Sequence, residues 1–542
     1  MLRIGLALAA AALVWGQAPR YGSIAGVVLD DSTGAPMLRA VVTLETKAEK
    51  PANAVAWTDA RGAFSFSWVP PGSYYLYAQR DGYEAARYGT ASLDRPPEVL
   101  TLAPGEARLK IVLRMRRLAS LSGVVLDPDG DPLSSVNVKV LVAAFLRRKP
   151  RYLAIRMAMT DDRGVYRVSG ILPGKYVVMA SPQGWQFGVG QPEAVPGQAT
   201  GRPKYGTQFY PGADRVSAAT PVTLAPGKDA EGIDFRLALW RTASLEAKVI
   251  VPPEIASGAD VHVEVYAQDA AQESDFSSGG SPPAPDFKLA VGDLVPGSYV
   301  AVATATANGR QYRGVERVEV GQGSGQVTIQ LEPGVELSGT VRLEGGTGPP
   351  PHFRVSLVPG DDLPLTGPQP EAETKPDGTF RIANVVPGVW DIGVEPVPKG
   401  GYIKSMRLGR QDVLTEDMLI GPATSDPLDV VLSTRGAVVE GAVTEDGGDG
   451  KPAKAFVLLA PDGTFENVWT FYRIAPADQS GHFEMKGIAP GSYKLYALDR
   501  IDGDPSQNPD FLKPFHDLGE SVEVSEGGHV SKRLKLIPVV RR

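Results

Sequence analysis

Thr58-Asp59-Ala60-Arg61-Gly62-Ala63-Phe64-Ser65-Phe66-Ser67-Trp68-Val69-Pro70-Pro71-Gly72-Ser73-Tyr74-Tyr75-Leu76-Tyr77-Ala78 reads as turn, strand, tight turn, strand. Asp59 opens the first turn and Gly62 closes it. Phe64 and Phe66 stand two apart and project to one face of a strand. Pro71-Gly72 fits a type II turn, with Pro presetting φ and Gly accepting a positive φ. Tyr74, Leu76 and Ala78 again share a face. The spacing predicts a β-hairpin with one apolar side, which it cannot bury alone.

The same stretch recurs. Asp162-Arg163-Gly164-Val165-Tyr166 leads to Pro173-Gly174-Lys175-Tyr176, and Asp286-Phe287-Lys288-Leu289 to Pro296-Gly297-Ser298-Tyr299. Asp377-Gly378-Thr379-Phe380 leads to Pro387-Gly388-Val389-Trp390, and Ser480-Gly481-His482-Phe483 to Pro490-Gly491-Ser492-Tyr493. An aromatic stands two residues after every Pro-Gly. Successive Pro-Gly glycines are 102, 123, 91 and 103 residues apart. That step is the size of a domain, not of a solenoid turn.

The 542 residues suffice for several cores. Gly (61) and Pro (47) fall at turns between β-branched runs, which suits many short strands and not disorder. Met1-Leu2-Arg3, an apolar run from Ile4 to Trp15, and small Gly16 and Ala18 read as a secretory signal cut after Ala18, with Gly16 the rival. The run is too short to span a bilayer, and no later stretch is long enough. With no cysteine, export brings no disulfides, so each core must stand alone. Net charge is −7, and basic clusters such as Arg147-Arg148-Lys149 are isolated, which excludes a nucleic-acid stripe.

The expected division is signal 1–18, then sandwiches at 20–117, 118–240, 241–333, 334–435 and 436–542. Each opens on a Gly-x-Val strand (Gly26-Val27-Val28, Gly123-Val124-Val125, Gly339-Thr340-Val341, Gly441-Ala442-Val443). The third departs from this, with Ala247 in the glycine's place. The joint pattern resembles the carboxypeptidase regulatory-like domain, a prealbumin-like sandwich related to the collagen-adhesin B repeat. The resemblance is strong for copies one, two and five, fair for four and weak for three. It implies an all-β fold of five tandem Ig-like or prealbumin-like antiparallel β-sandwiches in an extended array. At roughly 30–35 Å each, five would span about 150 Å. The fold frames many roles and implies little about function.

Catalytic patterns are missing. The histidines, at 262, 352, 482, 516 and 529, have no Glu three residues on and no His four on, so no zinc pair arises. There is no Gly-x-Ser-x-Gly, and no Gly-Lys is followed by Ser or Thr. Asp127, Asp129 and Asp131 resemble the start of a calcium loop, but Val138 stands where the bidentate Glu belongs, so a polar turn is expected. Collagen-adhesin relatives carry an internal Lys–Asn isopeptide bond; opening strands here offer only Lys248 and closing strands no Asn, so none is expected. No enzyme activity, cofactor or metal is expected.

The insertion at 181–213 is rich in Gly and Pro and carries Trp185, Phe187, Tyr205, Phe209 and Tyr210. Aromatics on such a loop form either a stacking platform for sugars or an anchor for a protein. The plainer reading packs them over the sheet or against the third copy. The expected role is a non-catalytic secreted, periplasmic or cell-envelope scaffold, monomeric, that binds polysaccharide or an envelope protein. The alternative is a rigid spacer or adhesin-like module for a protein partner. A hydrolase is least supported.

Overall fold

The structure, a computed structural model, describes residues 20–47, 52–89, 98–146, 149–182, 203–268, 277–346, 352–360, 369–446, 450–478, 480–501, 504–508 and 510–539. The expected signal segment lies outside them. Strands dominate; helix among the described residues is confined to short 3-10 turns, the longest at Lys513–Leu518. No helix among them is long and apolar enough to cross a membrane. The chain forms two compact units, one built chiefly from the residues up to Leu121, the other from most of the remainder.

In the first unit β1 (Gly22–Asp30) alternates buried and half-buried residues along its length. β2 spans Val41–Thr46, β3 Asn53–Trp57, β4 Ala63–Val69, β5 Gly72–Gln79, β6 Ala86–Arg87, β7 Leu100–Leu102 and β8 Ala107–Met115. One sheet has the order β4-β1-β8, the other β3-β2-β5-β6 with β7 also on β5. Ile24, Val28, Phe64 and Phe66 from the first sheet share a buried cluster with Val42, Leu44, Tyr74 and Leu76 from the second. This is the two-layer sandwich that period-two apolarity requires.

The expected hairpin is not one. β4 pairs β1 and β5 pairs β2, so the Pro-Gly segment arches from one sheet to the other. The two apolar faces that seemed to lie side by side instead close the core from opposite layers. Nor is the turn type II, because Gly72 does not take a positive φ. What fixes the arch is the aromatic that follows. Tyr74 Oη donates to the Pro70 carbonyl at 2.6 Å, Tyr299 to Val295 at 2.6 Å and Tyr493 to Ala489 at 2.9 Å. Trp390 Nε1 makes the same four-residue reach to Val386 at 3.0 Å. All four rings are buried, and each satisfies a carbonyl that the sheet ladders leave over.

The Asp-x-x-Gly turn behaves as its residues dictate. Asp59 Oδ1 accepts the amides of Arg61 and Ala63, each at 2.8 Å, and Asp478 Oδ1 those of Ser480 and His482 at 2.8 and 2.9 Å. Gly62, Gly164, Gly378 and Gly481 all have φ between +71° and +81°. A Cβ on any of them would stand 2.4 to 2.5 Å from an opening-strand carbonyl. In the third copy Phe287 occupies this place at φ 45°, its carbonyl receiving the Val249 amide as Gly62 receives Val28. The third copy thus departs from the pattern here as well as at Ala247.

The second unit repeats the plan. Ala243–Ile250 lies between Lys288–Leu294 and Ser324–Gln330. Val335–Glu344 lies between Thr379–Val385 and Leu428–Ser433. Separate buried clusters run from Ala243 to Leu331 and from Val335 to Leu432, and a third from Ala437 to Leu534, which Tyr402 joins. In the last block the strand His529–Ile537 also pairs Ala497 and Leu498, joining both layers into one seven-stranded sheet.

The sheets are not wholly antiparallel. Each opening strand runs parallel to the strand that closes its block, as Gly26 with Ile111, Gly339 with Leu428 and Gly441 with Lys532. The Gly-x-Val glycine is what lets these backbones meet. A Cβ at Gly26 would lie 2.1 Å from the Ile111 carbonyl oxygen, and one at Gly441 1.8 Å from that of Lys532.

Candidate functional site

Of the insertion residues singled out in the sequence, Trp185 and Phe187 lie outside the described residues. Tyr205 ends a short strand, Pro203–Tyr205, that pairs Leu239–Arg241. Burial, and then the charge of Asp127, which its hydroxyl also contacts, push its phenol up. Phe209 is 2% exposed, in a satellite cluster with Leu141, Val177 and Met179. Tyr210 sets its ring edge-on to Phe235, centroids 6.1 Å apart. Phe209 is thus packed against its sheet and Tyr210 against a core ring, and neither is free to join Tyr205 in a flat platform. Asp127, the first acid of the calcium-like run, spends Oδ1 on the amides of Asp129, Gly130 and Asp131 at 2.8 to 2.9 Å.

A cleft with an exposed aromatic lies elsewhere, within the second unit. After the strand Phe456–Pro461 the chain makes two 3-10 turns, Gly463–Phe465 and Trp469–Phe471. Val468 and Phe471 are buried in the block's core and Phe465 packs against it, which leaves Trp469 on the opposite side, 52% exposed. Trp469 and Thr470 line two adjoining hollows of about 450 and 310 Å³. Both volumes fall in the usual range of small-ligand pockets, roughly 300–1,000 Å³. Apolar Val397, Ile403 and Leu458 wall the larger; Glu416, Asp417, Asn467 and Gln507 wall the smaller.

Arg473 enters the larger hollow, but its Nη1 already donates to the carbonyls of Thr470 and Tyr472. Burial pulls its guanidinium down from the ordinary value. The Thr470 hydroxyl oxygen is buried without a hydrogen-bond partner among the described residues. Tyr402, on the wall of the same hollow, donates to Glu526 at 3.3 Å. Glu526 also accepts from Ser433 at 3.1 Å and Arg435 at 2.9 Å. Desolvation works against it, yet Ser433, Arg435 and Lys404 together hold its carboxyl below the usual range. The cleft therefore sits on a polar junction between the strands of the fourth and fifth copies.

The sequence signal for this cleft is Trp469-Thr470-Phe471-Tyr472, an aromatic run between two strands, which loop length alone does not bring out. Among the described residues no three His, Asp or Glu side chains are grouped to hold a metal.

Residues 23–114 match the carboxypeptidase regulatory-like domain. No curated protein matches the sequence. Among solved structures, a streptococcal ancillary pilin is 12% identical, with 57% of this chain and 98% of the pilin covered and a TM-score of 0.23. A minor pilin of Streptococcus agalactiae is 16% identical over 40% of this chain and 95% of its own, TM-score 0.21. The major pilin subunit of Bacillus cereus is 10% identical over 57% and 99%, TM-score 0.15.

Proposed function

We propose that the chain is a non-catalytic binding scaffold of the cell envelope or exterior, built of five regulatory-like sandwiches in series. The observation that carries this reading is the way successive blocks of the second unit are tied. Asn384 Oδ1 accepts the Gln311 amide at 3.3 Å while its Nδ2 donates to Gly309 at 3.2 Å. Gly334 and Gln311 add a 2.7 Å backbone bond, and Glu526 performs the same office one junction later. Junctions this short and this bonded suit a protein that holds binding surfaces at fixed spacing; free linkers would not.

Limited proteolysis tests it: junctions bonded as those at Gly334 and Arg435 should resist cleavage, and rapid cutting at both would overturn the scaffold. Carbohydrate is the ligand class favoured for such a scaffold, on the exposed aromatic and polar lining at Trp469. A rigid spacer for a protein partner is the alternative, and pull-down from envelope extracts separates the two. A hydrolase remains least supported, since the histidines are dispersed in sequence.

A further inference from the structure

We propose that the cleft around Trp469 binds a neutral oligosaccharide, and that it, not the 181–213 insertion, is the chain's sugar site. This rests on the carbohydrate reading above and adds its place and ligand class. A sugar ring offers an apolar C–H face and a rim of hydroxyls. Trp469 offers an exposed indole for the face. Glu416, Asp417, Asn467 and Gln507 offer the carboxylate and carboxamide groups that suit the rim. Thr470 lines both hollows beside the indole.

Charge narrows the class. Asp391, Glu416 and Asp417 line the smaller hollow and Asp504 the larger. Arg473, which already donates to two backbone carbonyls, is the one cation among the described lining residues. Uronate or sulfated glycans would meet like charge there. A chain of neutral hexoses or pentoses would not, and two hollows that share one indole as lining suit at least two sugar units.

Calorimetric titration of the whole protein decides it, with cellohexaose, laminarihexaose, maltohexaose, xylohexaose and a hyaluronan hexasaccharide as probes and oligolysine as the peptide control. At least one neutral hexasaccharide should bind and the hyaluronan should not. Trp469→Ala should weaken binding tenfold or more, about 1.4 kcal/mol, with the thermal transition unmoved because the indole is half exposed. Asn467→Ala should weaken it several-fold. Saccharide binding that survives Trp469→Ala but is lost in Tyr205→Ala would overturn this site and leave the carbohydrate reading standing. No binding of any saccharide would overturn both, and oligolysine binding in their place would assign the cleft to a basic peptide.

Discussion

Tyr493 Oη lies 2.9 Å from the carbonyl oxygen of Ala489, four residues back across the Pro-Gly arch, and both residues are buried. The bond sits where the chain leaves one sheet for the other. Tyr493→Phe keeps the ring and strands the carbonyl. The expected loss is about 1–3 kcal/mol in the stability of that block, read by chemical denaturation.

Gly481 and Gly463 make a matched pair. Both have positive φ, +78° and +70°, but a Cβ at Gly481 meets the Val443 carbonyl at 2.4 Å and one at Gly463 meets nothing within 4 Å. Gly463→Ala should cost roughly 1 kcal/mol for backbone strain alone. Gly481→Ala should cost clearly more, and equal losses would show that the close approach is unimportant.

Asp30 carries a pH signature. Although burial opposes it, hydrogen bonds from Ser32, Thr33 and Tyr83 lower its carboxyl from 3.8 to about 2. The folded value is depressed, so its stabilisation is present above about pH 4 and is lost as pH falls toward 2. Wild type should exceed Asp30→Asn in stability at pH 7, by at most about 2 kcal/mol. The gap should close in that acid window, and a gap independent of pH would refute the assignment.

Separate cores predict separate transitions. Leu76 and Phe483 belong to different buried clusters. Leu76→Ala should cost about 2–5 kcal/mol and Phe483→Ala about 3–5. In calorimetry each should lower one transition and leave the other in place. A single peak that moves with either change would mean the cores unfold together.

Asn384 tests the junction. Removing its amide in Asn384→Ala deletes both bonds to Gly309 and Gln311 and leaves the residue at φ 58° without the side chain that tolerates it. Scattering should show a broader distribution of dimensions, with the flanking blocks destabilised by about 1–3 kcal/mol.

Much of this was legible in the chain. Phe64 with Phe66 and Tyr74 with Leu76 stated which faces are buried, and Asp59 with Gly62 stated the turn. The arch was not legible, because a two-sided pattern of strand–turn–strand is the same whether the strands pair or face each other across a core. The choice depends on β1, which takes β4 into its sheet, and on β2, which takes β5 into the other. The parallel contact of opening and closing strands was hidden for the same reason, since its partners lie about 85 residues apart in the first copy. Phe209 looked like a loop aromatic because loop length marks an insertion without saying which face it folds back on. The sequence does not mark Trp469, because its neighbours Val468 and Phe471 are core residues and only the 3-10 turn separates it from them.

The parallel seam between β1 and β8 has a mechanical meaning. Two parallel neighbours put the entry and exit of a block at opposite ends of the same ladder. A pull along the chain then slides one strand past the other and stresses every rung together, where an antiparallel pair held at one end would peel rung by rung. Tension between the two termini of such a block meets its stiffest direction, and the Gly26 contact with Ile111 lies directly in the line of load.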